Sequence, residues 1–226
     1  MNKLGKLVGV VSISAVSLIS SANADSSAFT GAYVGITGSA LGIAMDGKHT
    51  RTLGEASVTN GAVGAVTESA GAEIGYSYPI SDMFFVTVGA SLSPFSTTID
   101  AKDITEAKNV KLTTDDIITY FIEPSYNVTE NTALFMKLGA SDSEIKATGT
   151  EVTNKTYDFS GETIAFGTKT VTDDGVFMKT EAGITSYDTL KITNINEEFN
   201  GTSSFTATAT ADVDVAYGQI TLGYKF

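Results

Sequence analysis

Residues 71–92 have the sequence GAEIGYSYPISDMFFVTVGASL, which is the clearest indication of the fold. Apolar side chains fall at the even positions from 70 to 78, and again at the even positions from 84 to 92. Small and polar side chains, many of them Gly and Ser, take the odd positions. A period of two is that of a β-strand, and a short turn at 79–82 between two such runs predicts an antiparallel hairpin.

The same alternation continues along most of the chain. It predicts eight strands, near 31–44, 67–78, 83–93, 116–127, 133–145, 175–186, 190–199 and 212–226. Short turns are expected at 79–82, 127–132 and 186–189, and long polar loops at 46–66, 95–115, 146–173 and 200–211. Short turns on one side and long loops on the other are typical of a transmembrane antiparallel up-and-down β-barrel. A possible hairpin at 156–171 leaves a ten-stranded barrel as the alternative.

Alternation alone does not say whether the apolar face points outward to lipid or inward to a core. A soluble lipocalin-like barrel or a sandwich is therefore also considered. Two further features favour a membrane barrel. The small and polar faces suit a narrow lumen. Tyrosines lie near strand ends, where an aromatic girdle meets lipid headgroups; they are Tyr76, Tyr78, Tyr120, Tyr126 and Tyr224.

The first 24 residues have the organisation of a secretory signal peptide. Lys3 and Lys6 are followed by a largely apolar stretch at 7–19, and Ala22 and Ala24 offer the small residues that signal peptidase requires. Cleavage is expected before Asp25, which leaves a single barrel domain at 25–226. An uncleaved N-terminal anchor is the alternative.

Composition agrees with export through the periplasm. The chain contains no Cys, which rules out disulfides and thiolate chemistry. Loss of Lys3 and Lys6 with the signal changes the formal net charge from −12 to −14. So acidic a chain repels nucleic acid, which is therefore not an expected partner.

The chain ends on an alternating apolar motif, Ile220, Leu222, Tyr224 and Phe226. This motif resembles the C-terminal signal that the barrel-assembly machinery recognises, and a last strand with an apolar face suits pairing by its edge. The simpler interpretation is a strand that faces lipid.

The segment GAYVGITGS at 31–39 resembles the first strand of the small outer-membrane barrel families, and 71–92 resembles their second hairpin. These families are the outer membrane protein A transmembrane domain, the opacity proteins and the "porin family" barrels. The resemblance implies an integral protein of the bacterial outer membrane. It also implies as partners outer-membrane lipid, lipopolysaccharide, the assembly machinery and periplasmic chaperones. We expect a monomer.

Five charged side chains occupy the inward phase of the predicted strands: Glu73, Glu123, Lys137, Lys179 and Glu181. Charges near mid-bilayer must pair or meet water. If the turn at 127–132 centres on Glu130, Glu123 lies opposite Lys137. An eight-stranded barrel is filled by its own side chains, so a packed charge network without a wide channel is expected. The alternative is a narrow, porin-like path for ions or very small solutes.

Enzymatic chemistry has little support in the sequence. His49 is the only His, and it lies in the first predicted loop without a Ser or Asp at a catalytic spacing. We therefore expect no catalytic residue, metal site or cofactor. The predicted function is structural or surface-interacting; an enzyme at the outer rim is the remote alternative.

Overall fold

The computed structural model describes residues 26–53, 55–94, 97–100, 111–148, 155–199 and 203–226. These residues are almost entirely β-strand, because apolar and small side chains alternate along each segment. A single turn of 3-10 helix, Ser26–Ala28, precedes the first strand. The strands are β1 Gly31–Leu53, β2 Glu55–Pro79, β3 Phe84–Ser93, β4 Thr97–Asp100, β5 Lys111–Asn127, β6 Thr132–Thr148, β7 Lys155–Val171, β8 Val176–Tyr187, β9 Leu190–Phe199 and β10 Ser203–Lys225.

Eight of the strands form a closed antiparallel barrel in the order β1-β2-β3-β5-β6-β7-β8-β10. The wall closes where β1 pairs with β10, from Tyr33 opposite Lys225 up to Arg51 opposite Ala207. β4 pairs with β5 and β9 with β10, so both strands extend the wall at one end. The predicted fold class and strand number are confirmed, and the ten-stranded alternative is wrong.

One wall strand differs from the prediction. Residues 155–171, assigned to a loop or a hairpin, form the continuous wall strand β7 between β6 and β8. The predicted seventh strand, 190–199, is indeed a strand, but β9 pairs only with the upper part of β10 among the described residues. The third short turn is therefore 172–175, not 186–189. As a consequence, β8 runs in the direction opposite to the one predicted.

Much of the sequence expected in long loops also forms strand. β1 and β2 pair without interruption up to Leu53 opposite Glu55, so 46–66 is the top of a hairpin. The predicted loops at 95–115, 146–173 and 200–211 likewise contribute residues to β4, β5, β6, β7 and β10. The strands continue above the apolar outer belt, where neighbouring backbones still pair although the outward side chains have become polar.

The outer face of the barrel carries a belt of exposed apolar side chains. Ile36, Ile74, Phe166 and Ile220 belong to it and are 69, 58, 60 and 54% exposed. Such a continuous apolar belt suits contact with lipid. Tyr76, Tyr78, Tyr126 and Tyr224 lie near the end with the short turns, whereas Tyr120 lies higher on β5. None of the helical residues that the structure describes forms a segment long and apolar enough to span a bilayer.

Glycines on the inner face make room for aromatic rings of neighbouring strands. A Cβ at Gly75 would lie 2.7 Å from the ring of Tyr33, and one at Gly89 would lie 2.5 Å from Phe121 Cζ. Four other inward glycines are in the same situation. The rings thus lie against the glycines and occupy space in the lumen. The further pairs are Gly161 with Tyr187, Gly167 with Phe135, Gly183 with Tyr217, and Gly223 with Phe177.

Gly75→Ala tests this packing. The new methyl group would displace the Tyr33 ring, so we expect the free energy of unfolding to fall by about 1–3 kcal/mol, the usual cost of overpacking. Urea titration of the barrel folded in lipid vesicles measures the change. Gly38→Ala is the matched control, because a Cβ at Gly38 meets nothing within 4 Å. Equal stability of the two variants would contradict the packing.

Candidate functional site: the charged lumen

Five side chains that the sequence placed on inward phases meet inside the barrel. We call them the lumen network: Glu73 from β2, Glu123 from β5, Lys137 from β6, and Lys179 and Glu181 from β8. Each is at most 3% exposed. The structure therefore brings all five sequence-predicted residues together. Buried charges on this scale are tolerated only when they are paired and hydrogen-bonded.

Lys179 lies at the centre of the lumen network. Its Nζ is 2.7 Å from Glu73 Oε1, 2.6 Å from Glu123 Oε1 and 3.3 Å from Glu181 Oε2. The Nζ of Lys137 lies 2.8 Å from Glu181 Oε1 and 3.3 Å from Glu73 Oε2. Each ammonium group thus bridges several carboxylates, and the network links opposite walls of the barrel.

Tyrosines and aromatic rings complete the surroundings of these charges. The Tyr33 hydroxyl donates to Glu73 Oε1 at 2.9 Å, and the Tyr217 hydroxyl donates to Glu181 Oε1 at 3.1 Å. Lys137 Nζ lies 4.5 Å from the centre of the Phe121 ring, and Lys179 Nζ lies 4.9 Å from that of Phe135. Two neutral donors therefore support a cluster of three carboxylates and two ammonium groups.

The register between β5 and β6 puts Glu123 opposite Lys137. Ile122 pairs with Leu138, and Ser125 pairs with Phe135 on the far side. The Lys137 Nζ lies 3.4 Å from Glu123 Oε1. This is the pairing expected for a turn centred on Glu130, but the contact is longer than those that Glu123 makes with Lys179.

Below the lumen network, aromatic side chains close the end that carries the short turns. Phe29 is fully buried and stacks on Phe85, with ring centres 4.9 Å apart. Tyr33 and Phe177 pack edge to face at 5.2 Å, and Lys169 Nζ lies over both rings. We call Phe29, Tyr33, Phe85 and Phe177 the aromatic plug. Sequence reasoning missed it, because Phe29 lies outside every alternating segment.

Above the lumen network, the inner face first carries hydroxyl groups and then apolar side chains. Thr119, Ser141, Thr163 and Thr185 form a continuous hydrogen-bonded ladder across four strands, with oxygens 2.7–2.9 Å apart. The next level is an apolar layer, which the sequence analysis also missed. Its members include Leu41, Ile43, Met45, Ile117, Ile145, Phe159, Tyr187, Val213 and Val215.

The three glutamates are close enough to share a cation, since one oxygen of each lies within 4.8 Å of the others. In this structure, Lys137 and Lys179 supply the positive charge at that position. The carboxylates therefore have ammonium partners, and the arrangement suits a structural ion cluster better than a metal centre.

The C-terminal motif lies on the outer face of β10. Ile220, Leu222, Tyr224 and Phe226 are all exposed, and the backbone N–H of Phe226 donates to Ala32 O at 2.8 Å. This geometry fits a lipid-facing strand that also closes the barrel. The role of the motif as an assembly signal stays a prediction.

Deleting Phe226 tests that role. We expect slower insertion, because the edge that pairs with the assembly machinery loses its last apolar residue. The measurement is the fraction of heat-modifiable, folded protein in outer-membrane extracts after induction. Normal yield in the cell would mean that the motif only faces lipid. Normal refolding of the deletion variant from urea serves as the control that the barrel itself is intact.

Two further predictions fall partly or wholly outside the described residues. The signal peptide at 1–24 and its cleavage before Asp25 lie there. The backbone of His49 belongs to β1 and pairs with Thr59 and Ala209, so this residue lies on a strand and not in a loop. Its side chain is not among those the structure describes, and its assignment as a non-catalytic surface residue stays a prediction.

Comparison with known proteins supports the fold. No protein-family model and no curated protein sequence matches the chain. Among solved structures, outer membrane protein OprG from Pseudomonas aeruginosa is similar, with 15% identity and a TM-score of 0.54 over 87% of this chain and 96% of that one. Ail of Yersinia pestis matches with 11% identity and a TM-score of 0.45, over 85% and 99% of the two chains. Outer membrane protease OmpT from Escherichia coli matches with 10% identity and a TM-score of 0.47, over 87% and 97%.

The likeness to OprG and the apolar outer belt both indicate a β-barrel of the outer-membrane type. Closed antiparallel barrels with an apolar exterior and a polar interior are characteristic of the outer membrane. The chain therefore has the fold of the small bacterial outer-membrane β-barrels and is an integral protein of that membrane.

Proposed function

We propose that the protein is a closed outer-membrane barrel with a structural role, whose interacting surface is an acidic rim above the bilayer. The observation that carries the proposal is the packing of buried, paired charges across the lumen. Lys179 alone contacts carboxylates from three strands within 3.3 Å, and it is completely buried. The aromatic plug adds a second barrier nearer the periplasm. A lumen filled in this way stabilises a barrel but leaves no wide passage.

The surface role is supported by the outward-facing charges at the end of the barrel away from the short turns. Eight exposed acids lie there, against the exposed bases Lys48, Lys146 and Lys191 among the described side chains. Clustered charge of one sign attracts partners of the other sign. We define the acidic rim as Asp46, Glu68, Asp116, Asp142, Glu144, Asp158, Glu162 and Asp188.

Neutralising part of the rim tests the surface role. In bacteria that display the barrel, Asp142→Asn/Glu144→Gln/Asp158→Asn should reduce retention of cells on polylysine-coated beads. The control is Asp82→Asn/Glu130→Gln/Asp173→Asn, which removes three exposed acids from the short turns at the periplasmic end, where the beads cannot reach. The difference should vanish in molar salt, where the screening length is about 3 Å. Equal retention of both variants would refute the proposal.

A narrow ion path is the second candidate, because five charged groups do line the middle of the lumen. It requires water or ions to displace ion pairs of 2.6–2.8 Å, and also to pass the aromatic plug. These contacts favour the closed barrel.

The partners remain part of the proposal. The apolar belt suits acyl chains, the acidic rim would lie beside lipopolysaccharide headgroups, and the apolar outer face of β10 suits the assembly machinery. Periplasmic chaperones would hold the unfolded chain, and the folded barrel would be a monomer.

A further inference from the structure

The inner face of the barrel is polar or charged at mid-height but becomes apolar one level higher. The apolar layer lines a cavity of about 40 Å³. The atom-free space in and around this cavity, part of which is open solvent, is about 550 Å³. Its walls come from β1, β5, β6, β7, β8 and β10. These side chains face inward and bury one another, and the space that they leave free is lined almost entirely by apolar groups.

One wall of the cavity is preformed. The rings of Phe159 and Tyr187 stack with their centres 4.3 Å apart and their planes 8° from parallel. Phe159 and Met45 are 5 and 4% exposed, so they are held among neighbours and not spread into solvent. A rigid apolar wall of this kind suits a flat or compact hydrocarbon group.

The cavity also contains a polar atom without a partner. The Thr114 hydroxyl oxygen is buried and makes no hydrogen bond within the described part of the chain. Thr114 lines the cavity together with the apolar side chains. A buried hydroxyl that lacks a partner is unusual and costs free energy, which a ligand with one hydrogen-bonding group would recover.

The floor of the cavity prevents onward passage. Beneath it lie the hydroxyl ladder, which joins β5 to β8, and then the ion pairs of the lumen network. A molecule that enters from the extracellular side would therefore be held and not transported.

We propose that this cavity is a binding site for a compact apolar molecule with one hydroxyl or similar polar group. Leu41, Ile43, Met45, Val213 and Val215 enclose the hydrocarbon part, the Phe159–Tyr187 stack lies against its face, and Thr114 bonds its polar atom. The site is independent of the acidic rim, and its ligand is recognised by apolar contact.

Phenol and benzene are the matched probes, since they differ by one hydroxyl. The measurement is the nuclear magnetic resonance of labelled methionine methyl groups in the folded barrel. Met45 lines the cavity, whereas Met178 faces the membrane and reports partitioning of the probe into lipid or detergent. We expect a saturable shift at Met45 only, with phenol binding roughly three- to tenfold tighter than benzene, the value of one neutral hydrogen bond.

Variants complete the test. Val215→Phe fills the cavity and should abolish the saturable shift, with Ala216→Phe on the opposite face of β10 as the control. Ile43→Phe replaces Val215→Phe if the latter does not fold. Thr114→Val should remove the preference for phenol and leave benzene binding unchanged. A Met45 response that merely follows Met178, or one that survives filling of the cavity, would overturn the proposal. Equal affinities for the two probes would overturn the assigned ligand class.

Discussion

Replacing Lys179 by methionine is expected to lower the free energy of unfolding by about 3–5 kcal/mol, the cost of breaking a buried ion pair from one side. Methionine keeps much of the length of lysine but removes the charge. Three carboxylates would then share the single ammonium group of Lys137 in a poorly solvated space. The change is measured by urea titration of the barrel folded in lipid vesicles, with the folded fraction read from heat modifiability.

The double variant identifies the cause. Glu123→Gln with Lys179→Met restores the net charge of the lumen network, because one acid and one base are lost together. Its destabilisation should be smaller than the sum of the single effects by about 0.5–3 kcal/mol, the range for residues in one network. Lys191→Met makes the same chemical change at an exposed position of β9 and should leave stability unchanged. Additive single effects would show that Lys179 and Glu123 do not interact.

Phe29→Ala is the second change with a large expected effect. Phe29 is fully buried against Phe85, and truncation of a buried phenylalanine costs about 3–5 kcal/mol. The same urea titration measures it. Phe84→Ala is the control, because Phe84 is adjacent to Phe85 but faces outward and is 51% exposed. If the two variants were equally stable, residues 26–30 would not anchor in the barrel.

The two barriers in the lumen, the lumen network and the aromatic plug, act separately. Phe29→Ala removes the lower barrier and leaves the ion pairs of Lys179 in place. The variant should therefore lose stability without gaining conductance.

The strongest strands were predictable because both of their faces carry information. On β2 and β3, apolar residues contact lipid and glycine or serine faces the lumen, so the phase is unambiguous and places Glu73 inside. The same logic located the other members of the lumen network. Their mutual distances were not predictable, since these depend on the stagger between strands that are distant in sequence.

β7 was missed because its outward face is apolar over only a short length. Asp158, Ser160 and Glu162 lie outward above the belt, so only Ile164 and Phe166 mark the lipid-facing phase clearly. Gly161 lies in the middle of the possible hairpin at 156–171, but its lack of a side chain instead admits the Tyr187 ring. β9 is a strand as predicted, although Asn194, Asn196 and Glu198 weaken its apolar face, and it only extends the wall.

The strand extensions are hard to predict from the sequence for a related reason. Above the apolar belt the outward side chains become polar, as at Asp46, Asp142 and Asp158, and the apolar ones face inward. No lipid-facing phase therefore marks the strand there. The aromatic plug and the apolar layer escaped prediction because each assembles single residues from several strands. Among these, Phe29 precedes β1 altogether.

Conductance of the purified, folded wild-type barrel in a planar lipid bilayer tests the closed lumen most directly. Insertion is established first, by recovering the membranes and measuring the heat-modifiable fraction. With insertion shown, we expect no current above that of the lipid alone in molar potassium chloride. A steady, ohmic conductance that rises with the amount of inserted wild-type barrel would contradict it.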